Sequence, residues 1–312
     1  MSTRGHSKVR HAIFLSFDDK FTHHAKTCIN SIKANYAQHP RLLINYKGNN
    51  PNTEHFLDEL DNAERIRLTA EYRFRTGPVS NAIVFDRYEL WTDRFEAFDT
   101  IMHLDVDTIV LRPFDYLFEE SVPFVAADFH EQSRIFSIDD SRLKTRNDIP
   151  PKNTLDDLLE IDGLTIPNSR TAMINAGIFT LPKAYRTSAQ RESLLGLARK
   201  YNDHVAYADQ SIISLWCWKI GIPISSRFEL NCQIRLLVDA AAKVNVNTLA
   251  ILHYSGEAKY QNLLVPTEAH RLTKPLYDLC TEIRSHYRVP RTAEKTASFV
   301  ARLGDTHRKM HQ

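Results

Sequence analysis

"IMHLDVDTIVLRPFD", residues 101–115, ends an apolar run on Asp105 and Asp107 and then resumes as "TIVLRPF". Unpaired carboxylates at the tip of a buried strand are costly, so either a partner cation sits there or the segment is not a strand. Its neighbours favour a strand. Just upstream, "FDRYELWTDRFEAF" sets Phe85, Tyr88, Trp91, Phe95 and Phe98 along one helical stripe. Further back, "HAIFLSF" (11–17) reads as a buried strand, and "HAKTCINSIKANY" puts Ala25, Cys28, Ile29, Ile32 and Tyr36 at helical spacing. "RLLINY" (41–46) and "RIRLT" (65–69) read as further strands. Strand and helix alternate from the start, so the first half is expected to build βαβ units around a mostly parallel sheet.

Downstream, "VPFVAADF" (122–129) is another expected strand, ending on Asp128. Residues 130–170 break the pattern: they are polar and contain Pro150, Pro151 and Pro167. Such a segment is an insertion or a pair of long loops, where specificity determinants tend to sit. Order returns at "TAMINAGIFTLPKAY" (171–185), followed by helices around 188–202 and 208–219. Short strands are expected at "IPIS" (222–225) and "LAILHYSG" (249–256). The last stretch, 284–312, carries seven Lys and Arg against two acids, 7 − 2 = +5.

The chain has 312 residues, 43% hydrophobic and 25% charged, enough for one large α/β domain or two smaller ones. A net charge of +2 gives no reason to expect nucleic acid. The four cysteines form no CxxC, which fits free thiols in a reducing compartment. "AIFLSF" is too short for a signal-peptide core, and no stretch approaches the roughly 18 apolar residues of a membrane span. A cytosolic protein is expected. The nine glycines form neither GxGxxG nor a Walker loop, and neither GxSxG nor HExxH occurs. Dinucleotide, P-loop, serine-hydrolase and zincin chemistry are thereby set aside.

Within a strand, residues i and i+2 share a face, so Asp105 and Asp107 can converge on one cation. Strand ends are also where open α/β sheets bind ligands. Carboxylates select a hard ion such as Mg²⁺ or Mn²⁺. About one Asp-x-Asp is expected by chance in a chain this long, so the pair needs support. His253 offers it, ending the apolar run "AILH" with Gly256 and Lys259 just beyond. An imidazole added to two carboxylates shifts preference toward Mn²⁺, and a lysine can reach a diphosphate as a point charge. A lone strand-end histidine is, however, more often a hydrogen-bonded structural residue.

Other positions read two ways. Asp18 and Asp19 in "FDDKF" either cap the next helix or accept from a ligand's ring N–H or hydroxyls. Asn175 before Ala-Gly suits a tight backbone approach to a ligand, or a bulge. Asp209-Gln210 opens a helix and can cap it. His23-His24 reads as surface. Trp216 and Trp218, two apart on a helix, point to different sides and make no stacking platform.

In chain order, "FDDKF", Arg87, "HLDVD", "VAADF", "INAGIF", "ADQ" and "LHYSGEAK" resemble the glycosyltransferase family 8 group of GT-A enzymes over roughly residues 10–262. These are retaining sugar transferases that include lipopolysaccharide galactosyl- and glucosyltransferases and the glycogenins. The resemblance implies a Rossmann-like, mostly parallel sheet flanked by helices, a mixed-sheet second half and a C-terminal helical tail. It implies a GT-A domain over 1–265, with 130–170 as an acceptor-side insertion, and a basic tail over 266–312. By resemblance, Asp105, Asp107 and His253 bind Mn²⁺, with Mg²⁺ as the alternative. Asp18 lies against the uracil, Lys20 near the ribose, and Gly256 and Lys259 at the diphosphate, with Asp105 also on the donor side. Arg87, Asp128, Asn175, Asp209 and Gln210 surround the donor sugar, with Asp128, Asp209 and Gln210 as catalytic candidates. The chain departs from the family pattern at Tyr260-Gln261, where Pro-Trp is usual, at Lys20, where Asn is commoner, and at the Thr-Ile-Val after Asp107.

The activity so implied is transfer of glucose or galactose from a UDP-sugar to a glycan or lipid-linked saccharide. Gln210 is a poor nucleophile, which favours front-face attack over a covalent intermediate. Two other functions fit the same residues: a self-glycosylating initiator using one of the twelve tyrosines, or a non-catalytic sugar-nucleotide or glycan-binding module. The basic tail reads either as a solvated end or as a peripheral contact with an anionic membrane carrying the acceptor.

Overall fold

In the structure, a computed structural model, residues 10–36, 40–68, 82–127, 174–201, 208–225, 227–233, 248–254, 281–283 and 285–310 are described. Strand β1 (His11–Phe17) shows why its sequence is nearly all apolar. Ala12 and Phe14 pack into one core cluster while Ile13, Leu15 and Phe17 pack into another. A strand covered on both faces needs no polar alternation. Helix α1 (Thr22–Asn35) follows, then β2 (Arg41–Tyr46), α2 (Pro51–Asp58) and β3 (Ala63–Arg65), with β1–β2 and β2–β3 both parallel. Pro51 suits the first turn of α2, where its missing N–H has no partner to lose, and Asn50 caps that turn.

The aromatic stripe before the Asp-x-Asp segment is helical, but as a 3-10 helix over Ala82–Trp91 and a second turn at Asp93–Phe95. Phe85, Tyr88 and Trp91 are three apart, the spacing at which 3-10 side chains eclipse, and all three are buried. Strand β4 (Thr100–Leu104) pairs in parallel with β1 and is buried throughout. After β5 (Thr108–Val110) and β6 (Val125–Ala127), β7 (Ile174–Pro182) runs antiparallel to both β4 and β6. The large sheet therefore has the order β3-β2-β1-β4-β7-β6, and β4 is the seam between its parallel and antiparallel halves.

Helices α3 (Ser188–Tyr201) and α4 (Ala208–Lys219) cover the face that holds Phe14, where Trp216 meets Trp91 edge-on at 5.1 Å. Helix α1 covers the other. A small second sheet, in the order β5-β9-β8, joins β5 to β8 (Cys232–Gln233) and β9 (Ile251–His253). Helix α5 (Ala293–Met310) buries Phe299, Val300 and Leu303. Just before it, the Tyr287 carbonyl accepts from Asn30 Nδ2 of α1.

Several expectations need correction. β3 ends at Arg65 rather than running over 65–69. Among the described residues, the segment 222–225 forms no strand, only an isolated bridge between Ser225 and Ala126. His24 is buried; only His23 is exposed. Cys28 and Cys217 are buried free thiols, and Cys232 is buried as well. The insertion expected at 130–170 and the first part of the tail lie outside the described residues. Among the described residues, no helix is long and apolar enough to cross a membrane.

Candidate active site

The two carboxylates meet by a turn, not by strand alternation. β4 stops at Leu104, the Asp105 N–H donates to the Gly177 carbonyl at 2.7 Å, and Val106-Asp107 turns the chain into β5. Thr108 closes the turn through its N–H and Oγ1, both donated to the Asp105 carbonyl. Register then sets the third group, because Thr108 pairs with His253 across β5–β9 and the Tyr254 N–H donates to the Asp107 carbonyl. The ligand atoms of Asp105, Asp107 and His253 all lie within 4.8 Å of one another. His253 Nε2 is 3.3 Å from Asp107 Oδ1 and 4.0 Å from Asp105 Oδ2, and it is buried without a hydrogen-bond partner among the described residues. Ligands at about 2.0–2.6 Å from one hard cation fall within such a separation, so this set fits a divalent ion.

Arg87 joins this group to α4. Its Nη2 donates to Asp105 Oδ1 at 3.0 Å, and its Nη1 reaches the Ala176 carbonyl at 2.9 Å and Asp209 Oδ2 at 3.0 Å. Burial works to lower the Arg87 pKa, but Asp105 and Asp209 outweigh it and raise it. Burial raises the Asp209 pKa, with Arg87 opposing. Its neighbour Asp86 is fully buried and held by Lys47 Nζ at 2.6 Å and Asn45 Nδ2 at 2.7 Å, which pins the 3-10 helix from the far side. Gln210 Oε1 accepts from the Ala176 N–H at 3.2 Å.

Three contributors were not singled out in the sequence for these contacts. His103 lies two residues before Asp105, and its Nε2 donates to Asp105 Oδ1 at 3.0 Å. Burial, then the Arg87 charge, holds its pKa down to about 4. Gly177 leaves space for the His253 ring, since a Cβ there would stand 2.1 Å from Cε1. Asn231 lies between His253 and Asn175: its Oδ1 is 3.1 Å from His253 Nδ1 and its Nδ2 donates to Asn175 Oδ1. The strand period shared by positions 103 and 105 was the available signal for His103. Nothing in "ELNCQ" marks Asn231.

At the end of β1, Asp18 caps the turn Asp19–Phe21, its Oδ1 accepting from the Lys20 N–H. Lys20 is exposed. Asp19 accepts from the Tyr46 hydroxyl and from the Asn49 and Asn50 N–H groups; the Tyr46 bond is the main cause of its lowered pKa. Asp18 thus caps the short turn before α1, whose own N-cap, Phe21, makes no side-chain cap bond. Asp128, Gly256 and Lys259 lie outside the described residues.

The architecture is that of a GT-A glycosyltransferase. GlyE from Streptococcus pneumoniae TIGR4 superposes with a TM-score of 0.57 at 16% identity, covering 95% of this chain and 63% of that one. This chain thus spans less than two thirds of GlyE. A galactosyltransferase, LgtC, solved with donor and acceptor sugar analogues, gives 0.54 at 14% identity, covering 93% and 95%. Mouse xyloside xylosyltransferase 1 gives 0.50 at 15% identity, covering 81% and 99%. No curated protein matches the sequence. The model for "Glycosyl transferase family 8" matches residues 12–260, and the chain belongs to that family.

Proposed function

We propose that this glycosyltransferase transfers a hexose, glucose or galactose, from a UDP-sugar to a glycan or lipid-linked saccharide acceptor, with retention at the anomeric carbon and dependence on Mn²⁺. The observation that carries the reading is the convergence of Asp105, Asp107 and His253 beside the Arg87–Asp209 pair. In this reading Asp105, Asp107 and His253 hold the cation, and Mg²⁺ is the alternative ion. When bound, such an ion supplies positive charge to the departing diphosphate.

The chain's own groups do the rest. Arg87 pairs with the buried Asp209 carboxylate and opposes the upward pull of burial on its pKa, and that carboxylate can accept from a sugar hydroxyl. Asn175 and Asp128 complete the sugar site, with Asp18 and Lys20 on the nucleoside and Gly256 and Lys259 on the diphosphate. A glutamine amide is a weak nucleophile, so the acceptor oxygen attacks from the side the nucleotide leaves. The bond to the phosphate oxygen breaks as the new glycosidic bond forms, and the acceptor's proton passes to that phosphate. Gln210 orients rather than attacks. The basic tail, 266–312, is assigned to contact with an anionic membrane surface where a lipid-linked acceptor resides.

The test is a screen of UDP-glucose, UDP-galactose, their N-acetyl forms and UDP-xylose for Mn²⁺-dependent hydrolysis and transfer. One hexose donor should be turned over, with activity falling at least a hundredfold in Asp107→Ala. Unchanged activity in that variant would remove the metal assignment. Hexose added to the chain itself, seen by intact mass, would select the self-glycosylating reading. Binding of a UDP-sugar with neither hydrolysis nor transfer would select the non-catalytic module.

A further inference from the structure

We infer that Asn231 is a positioning residue that fixes which nitrogen of His253 carries the proton, and that the direction is set by the peptide N–H of Gly177. A peptide N–H can only donate, so the Gly177 N–H fixes the identity of the atom it meets. The Gly177 N–H donates to a side-chain atom of Asn175 at 3.1 Å, so that atom is the amide oxygen. The same oxygen lies 3.0 Å from Asn231, whose facing atom must then be the amide nitrogen. Asn231 therefore turns its own oxygen to His253 Nδ1 at 3.1 Å. An oxygen there accepts, so Nδ1 holds the hydrogen and the neutral ring leaves a lone pair on Nε2.

That lone pair faces Asp107 Oδ1 at 3.3 Å and Asp105 Oδ2 at 4.0 Å. Three acceptors aimed at one another repel unless positive charge sits among them. The relay is buried at every step, with Asn231 fully so and Asn175 and His253 nearly so, and no water is needed to complete it. It also joins the metal group to Asn175, a proposed donor-sugar residue, through two hydrogen bonds. Gly177 contributes twice, through its N–H and through the missing side chain that admits the ring. Outer hydrogen bonds of this kind set ligand tautomer and orientation, and losing one typically costs about 10–100-fold in metal affinity.

The inference rests on the metal reading only for its consequence, and the experiment separates the two. Long-range ¹H–¹⁵N spectra of the metal-free full chain, labelled at histidine and recorded at alkaline pH, report the tautomer directly. His253 should be the Nδ1–H form in the wild type and lose that preference in Asn231→Leu. Asn175→Asp keeps both acceptor contacts and should keep the Nδ1–H form. Titration with Mn²⁺ alone, read by electron paramagnetic resonance, should show about 10–100-fold weaker binding in Asn231→Leu. An Nε2–H tautomer in the wild type overturns the inference, as does an unchanged tautomer and Mn²⁺ affinity in Asn231→Leu. A wild-type chain that ignores Mn²⁺ overturns the metal reading instead, and the tautomer spectra then decide this inference alone.

Discussion

Gly177 and Gly196 show how differently one methyl group can weigh at two glycines of the same chain. At Gly177 an added Cβ would stand 2.1 Å from His253 Cε1 and 2.9 Å from Asn175 Oδ1, with β7 held by neighbours on both sides. At Gly196, inside α3, an added Cβ meets nothing within 4 Å. Gly177→Ala should therefore push the imidazole off its position. Overpacking of this kind costs about 1–3 kcal/mol, and Mn²⁺ affinity should fall at least tenfold. Gly196→Ala should raise stability by roughly 0.5–1 kcal/mol, because alanine is the better helix former. Urea unfolding and Mn²⁺ titration of the two variants check both expectations. Equal effects at the two positions would contradict the packing argument.

At the scale of elements, α5 carries a titratable contact. His286 stacks on Phe299 with ring centroids 3.8 Å apart and planes 1° from parallel. Burial, then the Arg291 and Arg302 charges, lowers its pKa to about 4. The unfolded value is about 6.5, so the unfolded segment binds the proton first as pH falls. The contribution is fully present above about pH 6.5 and is lost as pH drops through about 4. Glu282 and Glu294 lie close by and would favour the cation, but they do not reverse the direction. The tail should loosen on acidification across that window, followed by the His286 ring signals. His286→Phe, which keeps the stack, should flatten the response.

The elements themselves were unequally legible. β1, β2, β4, α1, α3 and α4 announce themselves because apolar periodicity is imposed by burial on one face or two. β5 and β8 are three and two residues long and exist only because β9 lies between them, a fact no local pattern contains. The segment 222–225 misleads for the opposite reason: it has the composition of a strand and only a single bridge for a partner.

At the scale of the molecule, legibility followed chemistry. Asp105, Asp107 and His253 could be picked out because each closes an apolar run and they fall together in the order of the family's motifs. Asn231 and Gly177 could not, since their roles consist of contacts with residues far along the chain. The charge distribution adds a prediction at this scale. The overall charge is only +2 while 284–312 carries +5, and Arg288, Arg291 and Lys295 are exposed beside the buried side of α5. The full chain should sediment with vesicles of anionic phospholipid and not with neutral ones. Each basic residue near such a surface is worth about 1 kcal/mol. Changing Arg288, Arg291 and Lys295 together to Glu should therefore weaken binding by at least about a hundredfold, and equal sedimentation would remove the membrane assignment.

The turn at Val106-Asp107 has a consequence for how the molecule comes apart. Asp105 directly follows β4 of the large sheet, Asp107 directly precedes β5 of the small one, and His253 ends β9. A cation shared by all three is a cross-link between two sheets, and opening either sheet releases it. At a hundred times its dissociation constant, a ligand bound only by the closed form adds about 2.7 kcal/mol against opening. Amide hydrogens of β5 and β9 should thus exchange more slowly as Mn²⁺ is added, while those of β2, on the far side of β1, report only global unfolding. The exchange pattern would show whether the two sheets unfold as one cooperative unit or as two.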